Sequence, residues 1–475
     1  MKKLPSPFFA FSLLFIFLYF FLPSGDTDLG WHLRYGQYFI ETGKFLHENI
    51  LTYYLPGYVW NNTYSLYQIF IYLVNKTFGF LGLSIANSLL FITSFIFFNK
   101  INPKCLKINF ILFFIVILFG RNVFGLGIRD QEFSFLFLII EFFILKKSEE
   151  KNKFLFYLIP LFTLWVNIHG AFILGLILLL AYAINQAFNK NFKKMYTILK
   201  FLVFSLFATL INPWGIGVYA EIIKVISTPL KLLIVEWVGP SLIVKLLILG
   251  LFILSSYFSI RSNNKNKFFW IILLTIFLYL SFTAKRNIIL FALVTALALI
   301  DLKKDLTIKL EKSKIAGKFN IMLLILASLY LLSFRIPKTL DINLNWQSYC
   351  TKGYLKYPCK AVDFIRMNNL SGENVFSYYE WGGFLEWQLP KYKFFVDGRV
   401  PTWETPEGQS PNTIYLEIIM AEPEYQKKLE RYQTDWLLLP VNSYLDYELR
   451  QKSNIYWEEI YRDNISVIYI PKRIF

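Results

Sequence analysis

The sequence predicts an α-helical polytopic membrane domain of about 11 transmembrane helices over residues 1–335, followed by a small C-terminal α/β extracytoplasmic domain over 336–475. Three observations carry this. Of the 475 residues 56% are hydrophobic and the mean hydropathy is +0.45. Apolar runs of about 15–20 residues recur through the first two-thirds, which a polytopic membrane protein requires and a soluble one avoids. The formal net charge of +17 divides unevenly: 16 Lys and Arg stand against 18 Asp and Glu from Ile336 onward, and 33 against 14 before it. The basic residues gather in short breaks between apolar runs, the positive-inside pattern, so nucleic acid is not needed as a partner.

The N-terminus, MKK, is short and basic and stays cytoplasmic. The first span, about Pro7–Pro23, reads as a retained anchor because it ends in Pro without an A-x-A-like site and further spans follow. It puts SGDTDLGWHLRYG (24–36) outside, at the start of a first outer loop running to residue 78. Trp60–Phe78, interrupted by Asn61, Asn62, Gln68, Asn75 and Lys76, reads as an amphipathic helix on the outer interface. Further spans fall at roughly 79–98, 110–124, 131–145, 154–169, 170–188, 197–212, 241–260, 268–283, 287–301 and 318–335. Every strongly basic break is then cytoplasmic: Lys100/Lys104/Lys107, Lys146/Lys147/Lys151/Lys153, Lys190/Lys193/Lys194, Arg261/Lys265/Lys267 and Lys303–Lys318. Counting 60–78 as a span would reverse all of them. The expected location is the plasma (inner) membrane of the cell envelope, multi-pass, with the C-terminal domain outside.

This topology gathers Asp26, Asp28, His32, Arg121, Arg129, Asp130, His169, Glu236, Lys285 and Arg286 on one side. Ionisable groups at span ends are costly unless paired or wetted, so the set marks a candidate site; ordinary interfacial ion pairs, such as Arg129 with Glu132, are the competing account. Asp26 and Asp28, at i and i+2, present two carboxylates to one face of an extended segment. They suit sharing a divalent metal (Mg or Mn), or leave one as ligand and the other as general base. If a helix begins at Asp28, its carboxylate caps backbone N–H groups instead. Asp28, His32 and Tyr35 then share a helical face, with Trp31, Tyr38 and Phe39 toward lipid. Arg121, Arg129, Lys285 and Arg286 suit an anionic lipid head group such as a polyprenyl phosphate or diphosphate. His169, in NIHG, suits orienting a phosphate or acid–base work near neutral pH, and equally a satisfied helix-end histidine.

DTDLGWHLRYGQYFIETGKFL, WVNIHGAF, NPWGIGVY and VFSYYEWGGFLEWQLP–KYKFFVDGR resemble blocks of bacterial GT-C-like membrane proteins. The layout resembles the GT-C glycosyltransferase superfamily, which uses polyprenol-linked sugars and includes protein mannosyltransferases and oligosaccharyltransferase catalytic subunits. The resemblance implies a glycosyltransferase of hexosyltransferase type, moving a sugar from a polyprenyl-phosphate donor to a glycan, lipid or protein acceptor on the outer face. Asp26 or Asp28 matches the superfamily's first-loop acidic residue, the base or metal ligand. Arg129, Lys285, Arg286 and His169 would hold the donor phosphate. His32, Glu236, Tyr379, Glu380 and Trp381 would contact acceptor or sugar. YYEWGG (378–383) stands where oligosaccharyltransferases carry WWDYG, with Glu380 in place of Asp. Asp130 and Glu132 are the nearest match to the second outer-loop acidic pair.

In the C-terminal domain VFSYY (375–379), KFFVDGR (393–399), DWLLLP (435–440) and SVIYIP (466–471) read as strands, with helices over 361–369 and 422–432. Gly382-Gly383 and Asp397-Gly398 read first as turn chemistry. Cys350 and Cys359 fit a disulfide in an oxidising compartment, contributing about 2–3 kcal/mol by loop closure. The alternative function is a lipid or solute transporter or flippase. It predicts mid-span charges and related halves, yet Glu141 lies close to a span end and no internal repeat is found.

Overall fold

In a computed structural model the chain forms two compact units. The structure describes residues 6–228, 234–302, 311, 314–405, 408–451 and 454–472, so most of the basic Lys303–Lys318 break lies outside the described residues. One unit is helical: Met1–Pro23, Leu81–Ile216 and Ile234–Leu340. The other is mixed: Ser24–Phe80, Gly217–Leu233 and Asp341–Phe475.

Each segment expected to span falls on a helix. Helix Pro7–Phe20 starts where Ser6 Oγ accepts the Phe9 N–H at 3.3 Å and Pro7 opens the first turn. Its last carbonyls are taken up by polar side chains, Phe20 O by Asn87 at 2.9 Å and Leu22 O by Ser84 at 2.5 Å. Among the described residues three helices have the length and apolar composition to cross a membrane: Ser65–Ile101, Leu242–Ile260 and Ile321–Leu344. Pro7–Phe20, Leu106–Phe119, Asn152–Val166, Phe172–Phe188 and Lys267–Thr283 are apolar but shorter. Helices of that size rise about 21–26 Å against a hydrocarbon layer of about 30 Å, so a count of eleven crossings is not reached on this measure. Helix Asp130–Ser148 is long enough but carries Asp130, Glu132, Glu141, Lys146 and Lys147. Glu141 is not near its end. It is buried in the helix interior, and a Cβ on Gly175 would lie 2.7 Å from its Oε2. On the basic breaks, Lys146 pairs with Asp301 at 2.7 Å and Lys265 with Glu149 at 3.2 Å.

Two boundaries differ from expectation. The helix read as beginning at Trp60 begins at Ser65, because Asn62 turns the chain: its Oδ1 accepts the Tyr64 N–H at 2.9 Å and its amide reaches Gln68 at 2.7 Å. The helix is then broken at Gly79 (φ 60°, ψ −158°), a backbone region open essentially to glycine alone. The helix read as ending at residue 335 continues through a wider turn, Leu331–Arg335, into Ile336–Leu344.

The mixed unit holds a five-stranded sheet. Its strands are β1 (Asn374–Ser377), β2 (Lys393–Phe394), β3 (Trp436–Pro440), β4 (Trp457–Arg462) and β5 (Ser466–Pro471), in the order β2-β1-β3-β5-β4. β1 is parallel to both β2 and β3, and β5 is antiparallel to β3 and β4. Sequence reading missed β4 (WEEIYR), in which only Trp457 is buried and the rest are exposed or half-buried. Successive side chains alternate between two cores, with Leu437, Leu439, Val467 and Tyr469 on one face and Trp436, Leu438 and Ile468 on the other. The first loop joins the sheet: the Phe394 N–H donates to Leu51 O at 3.1 Å and the Tyr53 N–H to Phe394 O at 3.1 Å. Cys350 and Cys359 are disulfide-bonded and lie in the second core.

Candidate functional site

In the mixed unit the first-loop acids lie against the C-terminal blocks. Asp26 is buried, and its Oδ1 takes the Asp28 N–H at 3.5 Å. Helix Leu29–Thr42 does begin after Asp28, but the Asp28 carboxylate is used on the Trp31 indole N–H at 3.0 Å and makes no side-chain cap. Trp31 does not point to lipid. It is 3% exposed, in a core with Tyr35, Trp60 and Trp403, because that helix packs on helix Gly382–Gln388.

The glycines of the C-terminal blocks permit this packing. A Cβ on Gly30 would lie 1.9 Å from Gly383 O, one on Gly383 2.6 Å from Thr27 O, and one on Gly398 1.7 Å from Asp28 Oδ1. Asp397–Val400 is a turn, the Val400 N–H donating to Asp397 O at 3.3 Å and the Arg399 N–H to Asp397 Oδ1 at 2.7 Å. Since Gly382, Gly383 and Gly398 are not at positive φ, close approach rather than backbone strain is what calls for glycine.

Beneath Asp28 lies a fully buried charge cluster. Arg399 reaches Asp397 at 2.5 and 2.9 Å, Glu386 at 3.3 Å and the Tyr35 hydroxyl at 2.7 Å. Its guanidinium also lies over the Tyr35 and Trp403 rings. Burial pushes Asp397 up, but Arg399 outweighs it and holds the carboxylate below its ordinary range. Burial and then the charge of Asp397 push Glu386 well above its ordinary range. Arg399 thus favours the ionised form of Asp397, while burial favours the protonated form of Glu386. Burial pushes the Tyr35 phenol up to about 12.

Around the acids stand phenols held in their protonated form. Burial, and then the charges of Asp28, Asp397 and Glu380, push Tyr379 well above its ordinary value. Burial comes first for Tyr357 too, with Asp26, Asp28 and Glu380 contributing. Desolvation raises Glu380. Trp381 is buried, its indole donating to Lys356 O at 3.0 Å. His32 is buried among Trp31, Tyr64 and Tyr67, with Gln68 at 3.2 Å from its Nδ1.

In the helical unit, Asp130 opens its helix and lies 3.2 Å from His169 Nε2. His169 Nδ1 is 2.7 Å from Ser134 Oγ, which accepts the Trp165 indole N–H at 2.7 Å. A neutral His169 protonated on Nε2 satisfies every partner: indole to hydroxyl, hydroxyl to Nδ1, Nε2–H to carboxylate. The charges of Arg129 and Arg286 act on both Asp130 and His169. The Arg129 side chain pairs with Glu236 at 3.0 Å, while its backbone N–H donates to the buried Glu132 carboxylate at 3.2 Å. Arg286 lies over Trp237, and the Lys285 N–H donates to Val238 O at 3.0 Å. Arg121 begins the short helix Arg121–Phe124.

The expected residues therefore fall into two sets. Asp26, Asp28, His32, Tyr379, Glu380 and Trp381 belong to the mixed unit; Arg129, His169, Glu236, Lys285 and Arg286 belong to the helical unit. Sequence reading missed Ser134 and Trp165, though Ser134 is one turn from Asp130 and Trp165 one turn from His169. It also missed Arg399 and Glu386, although both lay in blocks already singled out, and it placed Tyr35 on the Asp28/His32 helical face without its bond to Arg399. Among the described residues no three His, Cys, Asp or Glu side chains gather to hold a metal ion. Asp26 and Asp28 offer two carboxylates, one already bonded to an indole, which is not a complete protein ligand set.

No protein-family model matches the chain, and no curated protein matches it. Its fold is similar to that of the oligosaccharyltransferase AglB of Archaeoglobus fulgidus. The TM-score is 0.58 for the apo form, 0.59 for the complex with an inhibitory peptide and a dolichol-phosphate, and 0.55 for the complex with Zn and sulfate. Identity is 12% in each case; the match covers 98% of this chain and 74%, 74% and 73% of those chains. The likeness is one of fold.

Proposed function

We propose that this chain, which has the fold of an oligosaccharyltransferase over nearly its whole length, is an integral-membrane glycosyltransferase. It moves a sugar from a polyprenyl-phosphate-linked donor to an acceptor on the outer face of the membrane. The observation that carries the reading is the packing of the first-loop acids against YYEWGG and VDGR, within a fold whose archaeal example was solved with a dolichol-phosphate and a peptide.

The roles follow from the chemistry of each set. Asp28, accepting from the Trp31 indole and seated on Gly398, is the better placed general base for an acceptor hydroxyl or amide; Asp26 holds its backbone N–H. Tyr379 and Glu380 present a phenol and a raised carboxyl as acceptor or sugar contacts, and Trp381 and His32, both buried, would meet the acceptor or sugar only through them. Arg129, Arg286 and Lys285 balance the donor phosphate as charge develops on it, and His169, held between Asp130 and Ser134, reaches it by turning its one Nε2–H from the Asp130 carboxylate to a phosphate oxygen. Glu236 holds the Arg129 guanidinium in place. A divalent metal held by Asp26 and Asp28 would supply further phosphate neutralisation, and among the described residues no third His, Cys, Asp or Glu joins them.

The test is transfer of labelled sugar from a polyprenyl-phosphate donor in membranes. The Asp26→Ala/Asp28→Ala variant should lose at least about 100-fold, in line with removal of a general base. Wild-type transfer by that variant would overturn the assignment. The transporter alternative has one observation in its favour, the buried Glu141. Flux through proteoliposomes without any sugar transfer would select it.

A further inference from the structure

Helix Gly217–Ser227 (GVYAEIIKVIS) is amphipathic in the reverse sense of a soluble surface helix. Its two charged side chains face the protein. Glu221 is buried and bonded to the Trp60 side chain and the Asn61 backbone, and Lys224 Nζ is bonded to the Tyr58 hydroxyl and lies 4.7 Å from its ring centre. The helix start is pressed close: a Cβ on Gly217 would lie 2.8 Å from Asn61 Oδ1. Its isoleucines face away, Ile223 being 67% and Ile226 72% exposed, with Ala220 exposed on the same face. That exposure is close to the 72% that Leu242 and Ile243 each show on a helix apolar enough to cross a membrane.

A water-facing helix with this pattern would hold its isoleucines in water at a free-energy cost, whereas one lying in a lipid interface would not. The same unit repeats the arrangement. Helix residues 65–78 turn Leu66, Phe70 and Leu73 outward and run on through Gly79 into a segment apolar enough to cross a membrane. We infer that helix 217–227 is an interfacial membrane anchor, its Ile223/Ile226 face seated in the bilayer at head-group depth. Its Glu221 and Lys224 grip the first outer loop. The grip reaches the acidic segment, because Trp60 packs edge-on to Trp31 at 5.8 Å and Trp31 bonds Asp28. The anchor thereby fixes the depth of Asp26 and Asp28 relative to the lipid surface. The membrane placement of the helix does not depend on the transferase reading.

The test uses the full chain in phospholipid nanodiscs with a bimane on Ile223→Cys or, separately, Ile226→Cys; labelling of the wild type sets the background from the buried Cys105. Lys427→Cys, on an exposed lysine of the same unit, is the control. Replacing the lipids with dibrominated ones should quench the two anchor positions by about twofold or more and leave the control unchanged, while aqueous iodide should do the reverse. Iodide quenching at both isoleucine positions would overturn the inference. Protection from both quenchers would also overturn it, since a protein partner rather than lipid would then cover the face.

Discussion

At the residue scale, Gly398 and Asp28 make the sharpest claim. Gly398→Ala would put a methyl carbon 1.7 Å from Asp28 Oδ1, so the loop or the carboxylate must move, at a cost of about 1–3 kcal/mol. Asp28→Ala removes the obstacle, and the double variant should cost less than the two single costs added. Thermal unfolding of the purified chain reads this as a double-mutant cycle; simple additivity would mean the two residues do not touch. The acidic pair, the VDGR block and YYEWGG could be picked out along the chain as unusual. That Gly398 serves Asp28, and Gly383 serves Gly30, could not, because a glycine needed for close approach has the same sequence signature as one needed for a turn. The buried Arg399–Asp397–Glu386 group was equally hidden: nothing local distinguishes Glu386 in GGFLEWQ from a solvent-facing glutamate.

At the element scale, four of the five strands were legible from runs of β-branched and aromatic residues, while β4 failed because its side chains are mostly half-buried or exposed. Its junction with helix Tyr444–Leu449 rests on Asp446, which accepts from Arg462 at 2.7 Å, Tyr469 at 2.7 Å and the Asn442 N–H at 2.7 Å. Burial pushes Asp446 up, but these partners outweigh it and hold it below its ordinary value. A carboxylate depressed in the folded state contributes stability that is full above its unfolded value, about 3.9, and is lost as pH falls toward the folded one. Unfolding midpoints measured from pH 6 down to about 3 should therefore fall less steeply in Asp446→Asn than in wild type, from a lower starting point. Identical slopes would remove Asp446 from the acid sensitivity of the sheet.

At the scale of the whole molecule, reporter fusions placed in the basic breaks after Lys104, Lys151, Lys193 and Lys265 should report cytoplasm, and a fusion at the C-terminus the opposite side. Any basic break reporting outside would overturn the topology drawn from charge. The sequence by itself determined that the chain is dominated by apolar helices, where those helices lie, and that a small mixed α/β region follows them, because hydropathy and strand pattern are local properties read along the chain. Only the tertiary structure decided that the first loop and the C-terminal blocks belong to one compact unit, with residues 51–53 bonded to the sheet edge at Phe394 and Asp28 resting on Gly398. The physical reason is that such contacts join residues more than 300 positions apart, through backbone hydrogen bonds and missing side chains that carry no periodic signal of their own.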